Sequence, residues 1–331
     1  GPLFAAPSPL GELALRKAAA RQLARCGVLR DPEEIVIFPG RTAAVESVLR
    51  LFVPPGGRVL LDAPVDPDLG RALRNRRARP RLLPADARRI AAALGRGAPR
   101  LVVVATGTSR LPLPRPDLVR RRTILDAARE HGLPVLEDVS GLDVLAEPAP
   151  PPLATLDGSG RVLPLCDLSD ETGAGFGAAA LAATPKALER IRQAGAAPGM
   201  PGRLAQQVLA RALDAPSRAR TLRSVAERRR LLTAQIRRTL NRRFGALDDF
   251  EFTAAGDAVR LDLPEGVSAT ALAEIARGHG VLVITPRECG LPPSRDDFLL
   301  LDLTRHEEGE MLDGIRRLGA AFDELEESYS T

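Results

Sequence analysis

The run Leu101–Ala105, LVVVA, is apolar at five consecutive positions, so a strand made of it needs cover on both faces. Buried strands of this kind alternate with amphipathic stretches along the first half of the chain. A helix is predicted over Glu12–Cys26, a strand over Glu34–Phe38 and a helix from Gly40 to about Leu51. Strands at Arg58–Asp62, Arg81–Leu83, Leu101–Ala105 and Pro134–Glu137 then interleave with helices at Asp68–Asn75, Ala87–Leu94 and Asp117–Glu130. Strand–helix alternation with doubly buried strands specifies a doubly wound α/β domain with a mostly parallel sheet.

After a rigid surface connection, EPAPPP, at Glu147–Pro152, strands at Arg161–Cys166 and Gly177–Thr184 are expected to close this domain. Helices dominate from Pro185 to about Phe244. Short strands follow near Glu251–Thr253, Val259–Leu263, Val281–Ile284 and Phe298–Leu303, with helices at Ala269–Gly278 and Glu307–Glu326. The reading is a large domain over residues 1–220 and a smaller C-terminal α+β domain over 221–331.

Composition narrows the function classes. Hydrophobic residues make up 44% of 331, with no run long enough to cross a bilayer, as in a soluble globular protein. The start, GPLFAAPSPLGE, has neither the basic flank nor the apolar core of a signal peptide, so the expected location is cytoplasmic. Cys26, Cys166 and Cys289 are odd in number and widely spaced, which fits neither a disulfide framework nor a CxxC metal site, and no metal is expected. The net charge of +5 comes almost wholly from arginine, since lysine occurs only at Lys17 and Lys186. The basic stretch Arg228–Arg243 reads as the solvated side of a helix whose apolar side is Leu231, Leu232, Ile236 and Leu240; no nucleic acid or membrane partner is expected.

Several segments carry a more specific signal. "GELALRKAAARQLARCGVLRDPEEIVIFPGRTAAVESVLRLFVPPGGRVLLDAP", "RTILDAAREHGLPVLEDVSG", "GRVLPLCDLSDETGAGFGAAALAATPKALERI", "GVLVITPRECG" and "FLLLDLTRHEEGEMLDGIRRLGAAF" resemble, in this order, the segments of class I/II, fold-type I aminotransferases dependent on pyridoxal phosphate (PLP). The aminotransferase-like domain of MocR-type proteins is the most similar. The resemblance spans nearly the whole chain, without the long N-terminal arm or the winged-helix domain.

Such an enzyme needs a lysine for the imine, a carboxylate for the pyridine nitrogen, an aromatic ring to stack and several phosphate donors. Where the family reads Ser-x-Ser-Lys this chain reads Asp167, Leu168, Ser169, Asp170, so the resemblance puts an aspartate at the imine lysine. It also puts Gly177 at the phosphate arginine, Val65 or Ala6 at the stacking tyrosine, Ser140 at the ring-oxygen tyrosine and Leu300 at the substrate-carboxylate arginine. Asp138 alone is clearly kept.

The residues left suggest other chemistry. Gly40, Arg41 and Thr42 put backbone N–H groups, a guanidinium and a hydroxyl at a helix start, an anion site to which Arg110 in TGTSRLPLP would add charge. Asp138 at a strand end reads equally as a ligand residue or a loop cap. Asp170, beside Asp167 and Glu171, could supply a general base or, paired with Asp138, an acidic metal site; a solvated loop rich in Asp, Glu and Gly is the commoner reading. Ser140 and Ser169 complete the candidate ligand set. His131, His279 and His306 fall at helix ends, and Cys166 and Cys289 read as small apolar filler. Arg287 and Arg305 are the available replacements for the missing carboxylate clamp.

The expectation is a degenerate aminotransferase-fold protein, a homodimer, that forms no PLP imine and either works without the cofactor or binds an anionic small molecule. Two alternatives remain open: a regulatory or scaffold subunit paired with an active paralogue, and an atypical enzyme holding PLP noncovalently.

Overall fold

The computed structural model describes residues 8–62, 67–84, 86–106, 117–142, 151–168, 177–193, 200–243, 250–252, 258–289, 291, 293–302 and 307–329. Two compact units divide the chain, the first holding most residues up to Leu222 and the second formed mainly by Arg223 onward.

The first unit is built on a seven-stranded sheet in the order β1-β7-β6-β5-β4-β2-β3. The strands are β1 (Ile35–Phe38), β2 (Arg58–Leu61), β3 (Arg79–Leu82), β4 (Leu101–Ala105), β5 (Val135–Asp138), β6 (Val162–Asp167) and β7 (Ala179–Ala182). β7 alone runs against its neighbours. The LVVVA strand lies central in the sheet, and no side chain from Leu101 to Val104 is more than 6% exposed. Each such Val or Leu stabilises the fold by roughly 1.5–3 kcal/mol. β3 is an edge strand, and there Pro80, which cannot donate to a ladder, is tolerated.

The helices are α1 (Leu13–Arg25), α2 (Arg41–Phe52), α3 (Pro67–Asn75), α4 (Ile90–Gly95), α5 (Leu118–Glu130), α6 (Leu153–Leu156), α7 (Pro185–Gln193) and α8 (Arg203–Leu213). α5 starts at Asp117, whose carboxylate accepts the Arg120 N–H at 2.7 Å, an N-cap worth about 1 kcal/mol. α6 is a helical turn that the sequence reading lacked; it follows Pro152, which is buried, while Pro151 is exposed and the rest of the expected connection, Glu147–Pro150, lies outside the described residues. The cause is the carboxylate of Glu137, which accepts the N–H groups of Leu153 at 2.7 Å and Ala154 at 2.8 Å and draws the segment inward.

In the second unit α9 (Arg218–Arg243), α10 (Ala269–Gly278) and α11 (Glu308–Tyr329) accompany a three-stranded antiparallel sheet, β10-β9-β8. Its strands are β8 (Phe250–Phe252), β9 (Ala258–Asp262) and β10 (Phe298–Asp302). Ile236 and Leu240 of α9 are buried against Val259, Leu261 and Leu299, but Leu231 is 58% exposed, so it does not belong to the apolar side expected of it. The buried positions repeat every four residues from Leu232, and Leu231 lies a hundred degrees off that line. The strand expected at Val281–Ile284 is reduced to one bridge, Ile284 with Leu300. Val281 is still occupied in closing α10, donating to Ala276 at 2.8 Å, and the chain turns again at Thr285–Cys289. Among the described residues no helix is long and apolar enough to cross a membrane.

Candidate functional site

Because β1, β2, β4, β5 and β6 all point the same way, their carboxyl ends share one edge of the sheet. Ligand sites of open α/β sheets form along such an edge. Phe38, Ala105, Asp138 and Asp167 end their strands there, and α2 begins three residues after β1.

α2 starts at Gly40, whose φ of 130° and ψ of 171° belong to a region that only glycine adopts without strain. That bend brings Arg41 over the end of β5. Arg41 Nε donates to Asp138 Oδ2 at 2.5 Å, and the two side chains are only 16% and 15% exposed. The other oxygen, Asp138 Oδ1, accepts from the Ser140 N–H at 3.1 Å and from Ser140 Oγ at 2.6 Å. Ser140 Oγ in turn accepts the Asp167 N–H at 2.8 Å, which ties the ends of β5 and β6 together. Thr42 is half-buried in the first turn of α2. Gly40 offers no side-chain cap, and no acceptor among the described residues meets the N–H groups of Thr42 and Ala43.

Gly40, Arg41, Thr42, Asp138 and Ser140 thus gather at one edge. Arg110, Ser169 and Asp170 lie outside the described residues, as do Ala6, Val65, Glu171, Arg305 and His306. Gly177 is exposed, and a Cβ there would stand 3.1 Å from the carbonyl oxygen of Pro39. Leu300 is buried at 1% in the core of the second unit, and Arg287 is exposed. His131 and His279 close α5 and α10, and Cys26, Cys166 and Cys289 are buried free thiols. Among the described residues no cluster of His, Cys, Asp and Glu could hold a metal ion.

Lys17 is exposed on α1. Lys186 is exposed in the first turn of α7, which follows the end of β7; that end pairs with the start of β1, so Lys186 belongs to the opposite edge of the sheet.

A second layer of charge beneath the edge went unread in the sequence. Glu137 is fully buried and accepts from Thr106 Oγ1 at 2.5 Å in addition to the two N–H groups of α6. Arg121, also fully buried, donates to the Pro151 carbonyl at 2.9 Å. Burial pushes the Glu137 carboxyl above its ordinary range, opposed by these donors and by the charge of Arg121. Asp62, at the end of β2, is likewise pushed up by burial against the pull of Arg120, which pairs with it at 2.7 Å. A signal for Arg121 was present: with Ile124, Leu125 and Ala128 it occupies the apolar side of α5 at helical spacing.

No protein-family profile and no curated protein matches the sequence. Solved structures do. The α-aminoadipate aminotransferase LysN of Thermus thermophilus, complexed with N-(5'-phosphopyridoxyl)-L-leucine, superposes with a TM-score of 0.82 at 25% identity, covering 97% of this chain and 83% of that one. An archaeal alanine:glyoxylate aminotransferase gives 0.83 at 21% identity over 97% and 83%. The kynurenine aminotransferase of Pyrococcus horikoshii gives 0.81 at 19% identity, again over 97% and 83%. The seven-stranded sheet with its single reversed strand, together with these superpositions, gives this chain the fold of the fold-type I PLP-dependent aminotransferases.

Proposed function

We propose that this protein is an aminotransferase-fold protein that forms no PLP imine and does not transaminate, and whose remaining capacity is to hold a small anion at the first turn of α2. The observation that carries the reading is the Arg41–Asp138 pair. Both oxygens of the carboxylate already accept hydrogen bonds from the chain. A protonated pyridine nitrogen brought to Asp138 would share one negative charge with the Arg41 guanidinium. Two cations about 4 Å apart at an effective dielectric of about 20 repel by about 4 kcal/mol. The position of Lys186 supports the same reading, since it belongs to the edge opposite Asp138. On this reading the residues present do not fit the cofactor.

Because Asp138 takes the charge of Arg41, the anion would be held chiefly by the N–H groups of Thr42 and Ala43 and the positive end of α2. That interaction is typically worth about 0.3–1 kcal/mol, and up to about 2 kcal/mol when partly buried. Binding is therefore weak unless other groups of the ligand add contacts.

An atypical enzyme that holds PLP noncovalently is the second reading. It is favoured by Asp138, which ends β5 where the resemblance puts the pyridine carboxylate. Titration with PLP, followed by visible absorbance, borohydride reduction and intact mass, separates the two. The first reading expects no chromophore shift and no reduced adduct. A shifted chromophore without an adduct would favour the second, and an adduct on Lys17 or Lys186 would overturn the first outright.

A further inference from the structure

We propose that Asp138 and Ser140 form a guanidinium seat which Arg41 fills from within the chain, and that the seat, once vacated, accepts a free alkylguanidinium. The inference rests on the reading that Asp138 serves its own chain rather than a cofactor.

Its basis is the independence of the seat from its occupant. Ser140 Oγ has one proton, and because it accepts the Asp167 N–H at 2.8 Å that proton is directed at Asp138 Oδ1, 2.6 Å away. The Ser140 N–H adds a second bond to the same oxygen. The ends of β5 and β6 therefore fix one edge of the carboxylate, and Oδ2 is turned toward the cation. Arg41 comes from a different element, the first turn of α2, and reaches Oδ2 through Nε. Removing its side chain leaves the aspartate still oriented by Ser140 and without its cation. Such a site is costly when empty and selects a cation that restores the bond. The bond uses the alkylated nitrogen, so the matching ligand class is a monoalkylguanidinium, which presents the same N–H beside a planar charge.

The test uses thermal unfolding of the wild type, of Arg41→Ala and of Arg41→Ala/Asp138→Asn, each with N-ethylguanidinium or with ethylammonium as the non-planar control. Arg41→Ala is expected to melt below the wild type and to recover saturably, by about 3 °C at ten times the dissociation constant, with N-ethylguanidinium only. The wild type, its seat filled, and the double variant, its carboxylate gone, should show no saturable rise. If Arg41→Ala does not fold unaided, its refolding from urea is compared with the two cations, and recovery by N-ethylguanidinium alone is the expected result. No saturable rise and no recovery, or an equal effect in the double variant, overturns the proposal. A PLP imine on the wild type would sink the functional reading, whereas failed rescue in a protein silent toward PLP would sink the seat alone.

Discussion

Arg41 and Arg121 are both arginines on sheet-facing helices, and neither was legible for what it does. Arg41 follows a glycine at a helix start, and the motif pointed to a ligand anion; the side chain instead turns to Asp138, 97 residues later, a pairing no local pattern encodes. Arg121 kept the helical spacing of the buried side of α5, but a charge is expected there only when a buried acid answers it, and Glu137 lies on a separate strand. Burial gives Glu137 a consequence for stability. Its carboxyl holds a proton to higher pH in the folded chain than in the unfolded one, so the native state binds more protons between the two values. Its contribution is therefore complete below the ordinary value of 4.5 and is lost as pH rises through the raised folded value. Urea unfolding across this window should show stability falling with a slope of at most about 1.4 kcal/mol per pH unit from this group. Glu137→Gln should flatten that component. Parallel profiles for the two proteins would refute the assignment.

At the scale of elements, the strands and helices of the first unit follow from apolar periodicity, because both faces of the sheet are buried and the helices need one apolar side each. What the pattern missed was decided by long-range partners. α6 exists because Glu137 captures its first N–H groups, and the strand expected before Pro286 shrinks to the Ile284 bridge because the chain is still closing α10. Gly40 joins β1 to α2 by backbone conformation alone. A Cβ at that position would meet nothing within 4 Å, so Gly40→Ala tests strain without a clash. The substitution should cost about 1–3 kcal/mol in equilibrium unfolding. A loss within about 0.5 kcal/mol, the usual range of neutral surface changes, would mean that the helix start relaxes freely.

For the molecule as a whole, the order of segments was legible because it is repeated by the order of strands, and the aminotransferase fold followed from it. Chemistry was less legible: the places of Lys17 and Lys186 can be read from the sequence, whereas the pairing of Asp138 with Arg41 cannot. The expected homodimer is a property of the whole chain. Light scattering on the eluting protein should give about twice the chain mass of 35.3 kDa, and a mass equal to that of one chain would rule the dimer out.

The reversed direction of β7 has a further consequence. β6 ends and β7 begins on the same edge, with Asp167 paired to Ala179 and the Leu168 N–H donating to the Ala178 carbonyl at 2.9 Å. The two ends of the segment between them are thus fixed by the sheet's own backbone bonds. The carboxyl edge of the sheet therefore keeps β6 and β7 in register through bonds between described residues, Asp167 with Ala179 and Leu168 with Ala178.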